Sequence, residues 1–357
     1  MADTTAIEWC DSTFNPWLGC TRVSPACDDC YAARSTPART LGVAWGPGEP
    51  RHRTSADTWA KPTQWNSRGF YACANCGSRN EGRDATDRDG AGTWACRACG
   101  SERLQRVRRR VFCASLADVF DNEVPDQWRV DLFKLIAATP NLDWLLVTKR
   151  IGNLARMLGD WQTVPLLPNI WLGITVVNQA EADRDVPKLL RVPAAVRFLS
   201  VEPMLGPVDL ERPRPGPDLD QGGGQMICQP WLIQSGIDWV ICGGESGPKA
   251  RPMHPDWARS LRDQCAAAGV AFNFKQWGQW VEVDGDKPTR TVRVESDIGE
   301  TLASRCDGFI SLAGEFVRSM DDATTDDPYR GLRRIGKKAS GRVLDGRTHD
   351  GFPGAAS

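Results

Sequence analysis

The chain has 357 residues, with 44 Lys and Arg against 45 Asp and Glu, and 41% of it is hydrophobic. That balance belongs to a globular chain able to bury a large core, as two domains or as one barrel-sized domain with insertions. It excludes a global attraction to nucleic acid. No apolar run approaches the roughly 18 residues needed to span a bilayer, and MADTTAIEWC lacks a basic-then-apolar leader, so the expected setting is the cytoplasm, away from membranes.

In chain order, Ile7–Phe14 contains a short predicted strand. Directly after it, Cys20, Cys27 and Cys30 fall in GCTRVSPACDDCYA, a C-x6-C-x2-C spacing. Without a secretory leader, closely spaced cysteines read as metal sites before they read as disulfides. Three thiols on one loop, followed by Tyr31, suit an iron–sulfur or other metal site with one open coordination position, because closed zinc sites normally take four protein ligands. The competing arrangement is a zinc knot completed by Cys10 or His52.

Residues 41–109 are polar and Gly-rich, and read as an insertion. Within them Cys73, Cys76, Cys96 and Cys99 form C-x2-C-x19-C-x2-C, the spacing of a zinc ribbon over about 70–102. The intervening GSRNEGRDATDRDGAGTW is too polar to make a core, so bound metal must supply the folding energy, on the order of 10 kcal/mol. A second iron–sulfur cluster is the other candidate occupant. Arg79, Arg83, Arg88, Arg97, Arg103, Arg106 and Arg108–Arg110 add positive charge, which suits either a nucleic-acid contact or a solvated structural insertion.

From there, short apolar runs alternate with amphipathic stretches. The predicted strands are Arg110–Ala114, Asp143–Thr148, Ile170–Val176, Val196–Val201, Trp239–Cys242 and Ala271–Lys275. The predicted helices are Pro125–Thr139, with Trp128, Leu132, Leu135 and Ile136 on one face, Asn153–Leu158, Ala180–Leu190, and Pro255–Gly269, with Trp257, Leu261 and Cys265. Such alternation predicts a parallel α/β architecture, barrel or open sheet. The strand ends are polar: Ser115 and Asp118, Lys149 and Arg150, Thr175 and Asn178, Ser200 and Glu202, Glu245 and Ser246, Lys275 and Gln276. Reactive groups of a parallel barrel gather at those ends, which predicts a shared pocket there. Lys149-Arg150 offers an anchor for carboxylate or phosphate, and Glu202 an acceptor for ribose hydroxyls or an amine. His254 is placed for acid/base work or for capping a helix, Gly243-Gly244 for a tight turn, and Trp277 and Trp280 for a pocket wall. Residues 211–230 read as a Pro/Gly loop. Residues 281–357 carry weaker signals and a basic tail, an extension expected to pack on the barrel formed by 1–40 and 110–280. No Ser-His-Asp order, Walker loop or HExxH occurs.

IEWCDSTFNPWLGCTRVSPACDDCYA, LLVTKR, FLSVEPMLGPVDL, WVICGGESGPKARPMHPDWARSLRDQC, FKQWG and GKKASGRVLDGRTHDGFP resemble the phage gene products thirty-seven and sixty-eight family, a three-cysteine domain similar in layout to radical S-adenosylmethionine (radical-SAM) enzymes. The resemblance runs from about residue 5 to 354, outside the insertion. It implies a complete or partial (β/α) barrel of the radical-SAM type, with a [4Fe–4S] cluster on Cys20, Cys27 and Cys30. S-adenosylmethionine would sit on the open iron, and an electron donor would drive formation of a 5′-deoxyadenosyl radical. Tyr31 stands where such enzymes keep an aromatic. Ser115, Asp118, Lys149, Thr175, Ser200, Glu202, Gly243 and Gly244 become cofactor-binding candidates, and Glu245, His254 and Lys275 catalytic ones. The first cysteine gap is six where three is common, and Gly243-Gly244-Glu245 follows the sixth strand where such a motif usually follows the second. A nucleotide or nucleic acid is the candidate substrate, with a partner protein encoded nearby a further candidate. The alternative is a non-catalytic zinc-binding module that contacts nucleic acid or protein.

Overall fold

The computed structural model describes residues 3–86, 92–159, 167–211, 214–215, 228–229, 233, 236–283 and 306–354. Its largest sheet has seven strands: β1 (Ser12–Phe14), β2 (Arg109–Cys113), β3 (Leu142–Thr148), β4 (Ile170–Thr175), β5 (Val196–Val201), β6 (Trp239–Gly243) and β7 (Ala271–Gln276). The strands lie in the sheet in chain order. The registers β1–β2, β2–β3, β5–β6 and β6–β7 are all parallel. A doubly wound open sheet reverses its order at a switch point, whereas a (β/α) barrel keeps sequential order. The fold is therefore mixed α/β, consistent with a partial (β/α) barrel.

The chain divides into two compact units, and the division falls within β4. The first comprises Met1–Arg22, Ala32–Leu172 and Pro193–Ala195; the second comprises Val23–Tyr31, Gly173–Val192 and Val196–Ser357. Cys20 thus belongs to the first, Cys27 and Cys30 to the second.

In the first unit, Phe14 of β1 sets its ring edge-on to Trp144 of β3 at 5.5 Å and to Trp59 at 5.7 Å, geometry that aromatic quadrupoles favour. Helix α1 (Asp126–Ala137) follows β2 and buries Leu132 and Ile136. The Asn169 amide caps its far end by donating to Ile136 O and Thr139 O, both at 3.1 Å. A short helix α2 (Leu154–Leu158) follows β3. A further helix, Ala56–Ser67, lies in the predicted insertion, capped by the Ser55 hydroxyl and tolerating Pro62 inside it.

In the second unit, α3 (Gln179–Leu190) begins at Asn178, whose side chain accepts from Glu181 N, while Glu181 accepts from Val177 N. That reciprocal arrangement is a variant of the capping box. Helix α4 (Pro255–Ala268) starts at His254 with Pro255 in its first turn and ends at Gly269, whose φ of 68° places it in the left-handed region. The free edge of β7 is covered by the C-terminal segment: Phe274 N donates to His349 O, and Gly351 N to Phe272 O, each at 2.9 Å. Phe352 then packs against Trp239 at 4.8 Å. Covering an edge in this way blocks pairing with another chain. Beyond β7, strands β8 (Trp280–Glu282), β9 (Gly308–Ser311), β10 (Phe316–Val317) and β11 (Tyr329–Arg334) form an antiparallel sheet in the order β8-β11-β9-β10. Its core holds Phe309, Val317 and Tyr329. Most of the predicted 211–230 loop lies outside the described residues, as do Arg88 and residues 284–305. Among the described residues, no helix is long and apolar enough to cross a membrane.

Candidate metal centre

The sulfurs of Cys73, Cys76, Cys96 and Cys99 all lie within 4.8 Å of one another, the one group of metal-ligating side chains so gathered among the described residues. Two copies of one turn build it. Cys73 N donates to Ser78 O and Gly77 N to Cys73 O; Cys96 N donates to Ser101 O and Gly100 N to Cys96 O, all four at 2.9 Å. Gly77 and Gly100 have φ of 71° and 74°, the left-handed conformation this turn requires. The sequence signal is the repeat CANCGS and CRACGS, in which glycine and serine matter as much as the thiols. The Ser78 hydroxyl lies 3.2 Å from Cys76 Sγ and 3.1 Å from Cys96 Sγ. Chiefly through that hydroxyl, the Cys96 thiol is drawn down to about 5, which favours the thiolate a metal needs.

Most of the nearby arginine charge is engaged within the unit. Arg79 makes a two-pronged ion pair with Asp11, directly before β1, and donates to Arg108 O at 2.7 Å. Arg109 pairs with Glu81 and lies over Phe70 at 4.5 Å, while Arg108 reaches Asp143 at 3.5 Å. Arg97 donates to Gly82 O. Burial pushes the Arg110 guanidinium down to about 10. The side chains of Arg103 and Arg106 have no partner among the described residues. Ribbon-like strands Tyr71–Cys73, Arg79–Asn80 and Leu104–Arg106 carry this group.

The three-cysteine loop is held by arginines. In the first unit, Arg150 donates from Nη1 to Cys20 Sγ at 3.3 Å and to Asp118 Oδ2 at 3.2 Å, and from Nη2 to Thr21 O at 2.5 Å. Asp118 is fixed in turn by Thr148 Oγ1 at 2.7 Å, Phe120 N at 2.9 Å and Lys149 N at 3.0 Å. Asp121, 3.7 Å from Arg150 Nη2, pairs with the buried Arg51, which donates to Thr21 Oγ1. Burial pushes the Cys20 thiol up to about 12; Asp118 adds to the rise and Arg150 opposes it. Lys149 thus contributes its backbone to the network, and Asp118 serves Arg150. Ser115 exchanges hydrogen bonds with Asn15 across the ends of β1 and β2.

In the second unit, Cys27 and Cys30 flank one turn, with Cys30 N donating to Cys27 O at 3.4 Å. Ser24 caps the turn before it, Pro25–Cys27, by accepting from Ala26 N. Arg251 ties it down, donating to Pro25 O at 2.8 Å and pairing with Asp28 at 3.1 Å, while both oxygens of Glu245 grip the same guanidinium. Cys20, Cys27 and Cys30 are free thiols of intermediate burial.

Residues 4–353 match a family model described as Protein of unknown function (DUF5131). The chain belongs to that family. No curated protein and no solved structure matches.

In this DUF5131 chain the remaining strand-end residues of the second unit divide by environment. Glu202 meets Lys275 Nζ at 2.8 Å and Gln276 Nε2 at 3.1 Å. Both residues can reach it because the register shifts between Cys242 and Gly243, so that Gly243 opposes Gln276 and Lys275 is the extra residue of a bulge. At Gly243 an added Cβ would touch Glu202 at 3.5 Å, an ordinary van der Waals contact, so space alone does not require glycine there. Gly244 is required by close approach: a Cβ there would collide with the Trp277 carbonyl. Thr175 and Ser200 are buried and Tyr31 is exposed. His254 caps α4, its Nδ1 accepting from Asp256 N at 3.1 Å, and burial holds its pKa down at about 4, so the ring is neutral near pH 7. Trp277 and Trp280 are pinned by their indole N–H groups to Val343 O and Ala250 O.

Proposed function

We propose that this chain is a radical S-adenosylmethionine enzyme, with a [4Fe–4S] cluster on Cys20, Cys27 and Cys30 and a structural Zn²⁺ on Cys73, Cys76, Cys96 and Cys99. The observation that carries the reading is the position of three cysteines without disulfides on one short loop directly after the first strand of a sequentially ordered parallel sheet. Three ligands from the chain leave one iron free for a small molecule. The bound cluster would supply the electron that cleaves S-adenosylmethionine, and an external donor would replace it.

The residues of the chain have separable tasks. Arg150 and Arg251 hold the two ends of the loop, so Glu245, gripped by Arg251, acts in positioning. Glu202 and Lys275, each with about 15% of its side chain exposed, offer a carboxylate and an ammonium to an amine, hydroxyl or carboxylate of a ligand. For the ribbon, a zinc–sulfur bond of about 2.3 Å in a tetrahedron puts sulfurs roughly 3.8 Å apart. Cys73–Cys99 and Cys76–Cys96 stand at 3.7 and 3.8 Å, with the whole set within 4.8 Å. A cubane spreads its thiolates over separate irons and needs wider spacing, so these distances favour a single ion.

The test is anaerobic reconstitution with iron and sulfide, followed by metal analysis and product assay. About four irons and one zinc per chain are expected, with reductive formation of 5′-deoxyadenosine. A Cys27→Ala chain with undiminished cluster absorbance, or zinc at both cysteine groups and no iron, overturns the reading.

A further inference from the structure

Three segments of the second unit meet where β6 and β7 end. Residues 244–249 and 276–279 are joined by Gly244 N, which donates to Gln276 O at 2.9 Å, and by Gln279 N, which donates to Glu245 O at 3.0 Å. Residues 334–341 are strapped to them. Ile335 N and Gly336 N both donate to Gln279 O at 3.1 Å, Trp277 N donates to Gly341 O at 3.2 Å, and Arg334 donates to Gly247 O at 3.1 Å. Glu245 is the one carboxylate in the three segments, and Arg251 already grips it. Asp307 lies alongside, accepting from Arg334 N at 2.7 Å. Against these stand Arg334 and the exposed Lys249, Lys337 and Lys338, whose ammonium groups have no partner among the described residues. That surplus of positive charge suits a phosphate.

The sheet face turned away from α4 is polar below this end. Burial pushes the Cys242 thiol up and Cys265 of α4 adds to the rise, so Cys242 faces that helix. Strand alternation then puts Ile241 on the other face, together with its register partners Ser200 and Asn273. Asn273 is fully buried, and neither atom of its amide is hydrogen-bonded. Gln276 donates to Glu202, Ser246 Oγ and Gly244 O, which leaves its buried Oε1 unpaired. Unpaired buried amides are destabilising, and a donor beside an acceptor is what one edge of a nucleobase presents. The Glu202–Lys275 ion pair stands two residues beyond Asn273, about 7 Å along the strand, and parts to let a ligand reach it.

We propose that the second unit binds a nucleoside phosphate at this end of the sheet, with its phosphate on Lys249, Lys337 and Lys338 and its base edge on Asn273 and Gln276. The inference rests on the ligand role given above to Glu202 and Lys275, and not on iron at the cysteine loop.

The experiment is isothermal titration calorimetry on the full chain with the four nucleoside 5′-monophosphates, their nucleosides, inorganic phosphate and S-adenosylmethionine. One monophosphate is expected to bind about tenfold more tightly than the other three and than inorganic phosphate. Lys337→Ala with Lys338→Ala should weaken that nucleotide about tenfold and leave its nucleoside unchanged. Asn273→Leu should level the four bases, with about a tenfold loss for the preferred one. It should not lower the melting temperature, because it removes two unpaired buried atoms. If Asn273→Leu does not fold, the lysine variant and the panel of bases decide. Equal affinity for inorganic phosphate and all four nucleotides, or a nucleotide indifferent to the lysine substitutions, overturns the inference and leaves the enzymatic reading standing. S-adenosylmethionine that competes with the nucleotide at equal affinity gives the site to that cofactor and also overturns the inference. Nucleotide binding by a chain that takes up no iron upholds the inference and overturns the enzymatic reading alone.

Discussion

The four-cysteine ribbon and the three-cysteine loop hold their thiols in opposite ways. In the ribbon, one backbone turn is used twice, and glycines at positive φ let the chain fold back so that its own N–H groups close each knuckle. In the loop, arginines reach in from segments distant in sequence: Arg150, just past β3, is 130 residues from Cys20, and Arg251, between β6 and α4, is 226 from Pro25. A site made by local backbone needs only metal to complete it. One held by remote guanidinium groups depends on the segments that carry them.

The sharpest way to break the comparison is to withhold the metal proposed for the four cysteines. On that reading, Cys96→Ser, or chelation of the wild type, should unfold the described ribbon residues 70–86 and 92–106, since a structural zinc contributes on the order of 10 kcal/mol. Iron on the proposed loop cluster should stay on the chain. Loss of one zinc per chain by elemental analysis, with hydrogen-exchange protection lost in the ribbon, is the expected result; simultaneous loss of all iron would show that the two sites are not separable. A smaller effect follows from the ribbon's anchor. Arg79→Ala removes the two-pronged bond to Asp11 and the bond to Arg108 O, and should cost about 2 kcal/mol in urea unfolding while zinc stays bound. Loss of zinc in that variant would make the anchor part of the metal site.

Local rules made most of the fold legible, and the remote contacts were not. All seven strands and the four barrel helices stand within a few residues of their predicted positions, because buried parallel strands read as apolar runs and α4 is bracketed by Pro255 and Gly269. The helix Ala56–Ser67 was hidden by Pro62 and by its polar composition. At the strand ends, polarity alone could not separate residues that face a ligand from residues that hold a loop. Glu245 and Arg150 are of the second kind, and only their partners say so. The bulge that brings Lys275 and Gln276 to one carboxylate leaves no mark in FNFKQWG.

Acid should act on the second unit through His254. Its folded pKa, about 4, lies below the ordinary 6.5 because burial opposes the charge. Stability from the neutral ring is therefore complete above pH 6.5 and is lost as pH falls toward 4, an interval worth roughly 3 kcal/mol. Asp256, paired with Arg259 and Arg330, is itself held below 3.8, so its loss comes at lower pH. His254→Asn retains a capping oxygen without a titrating ring. Melting temperature against pH should be flatter for the variant between pH 6.5 and 4; parallel curves would remove His254 from the acid response.

The smallest expected effect concerns nucleic acid. Salt dependence of binding counts the cations that neutralise phosphates, about 0.9 in slope for each contact to duplex DNA. A count of arginines near the ribbon suggests a steep slope, yet Arg79, Arg108 and Arg109 are already paired with Asp11, Asp143 and Glu81, and releasing them would break the ribbon's own anchors. Arg103 and Arg106 are the described arginines of the ribbon whose side chains have no partner there. Duplex binding by the full chain should therefore be weak, with a slope of about 2 or less, and Arg103→Ala with Arg106→Ala should flatten it. A slope several times steeper, unchanged by that double substitution, would mean that the paired arginines leave their carboxylates for phosphate, and the ribbon would then be a reader of nucleic acid as well as a brace.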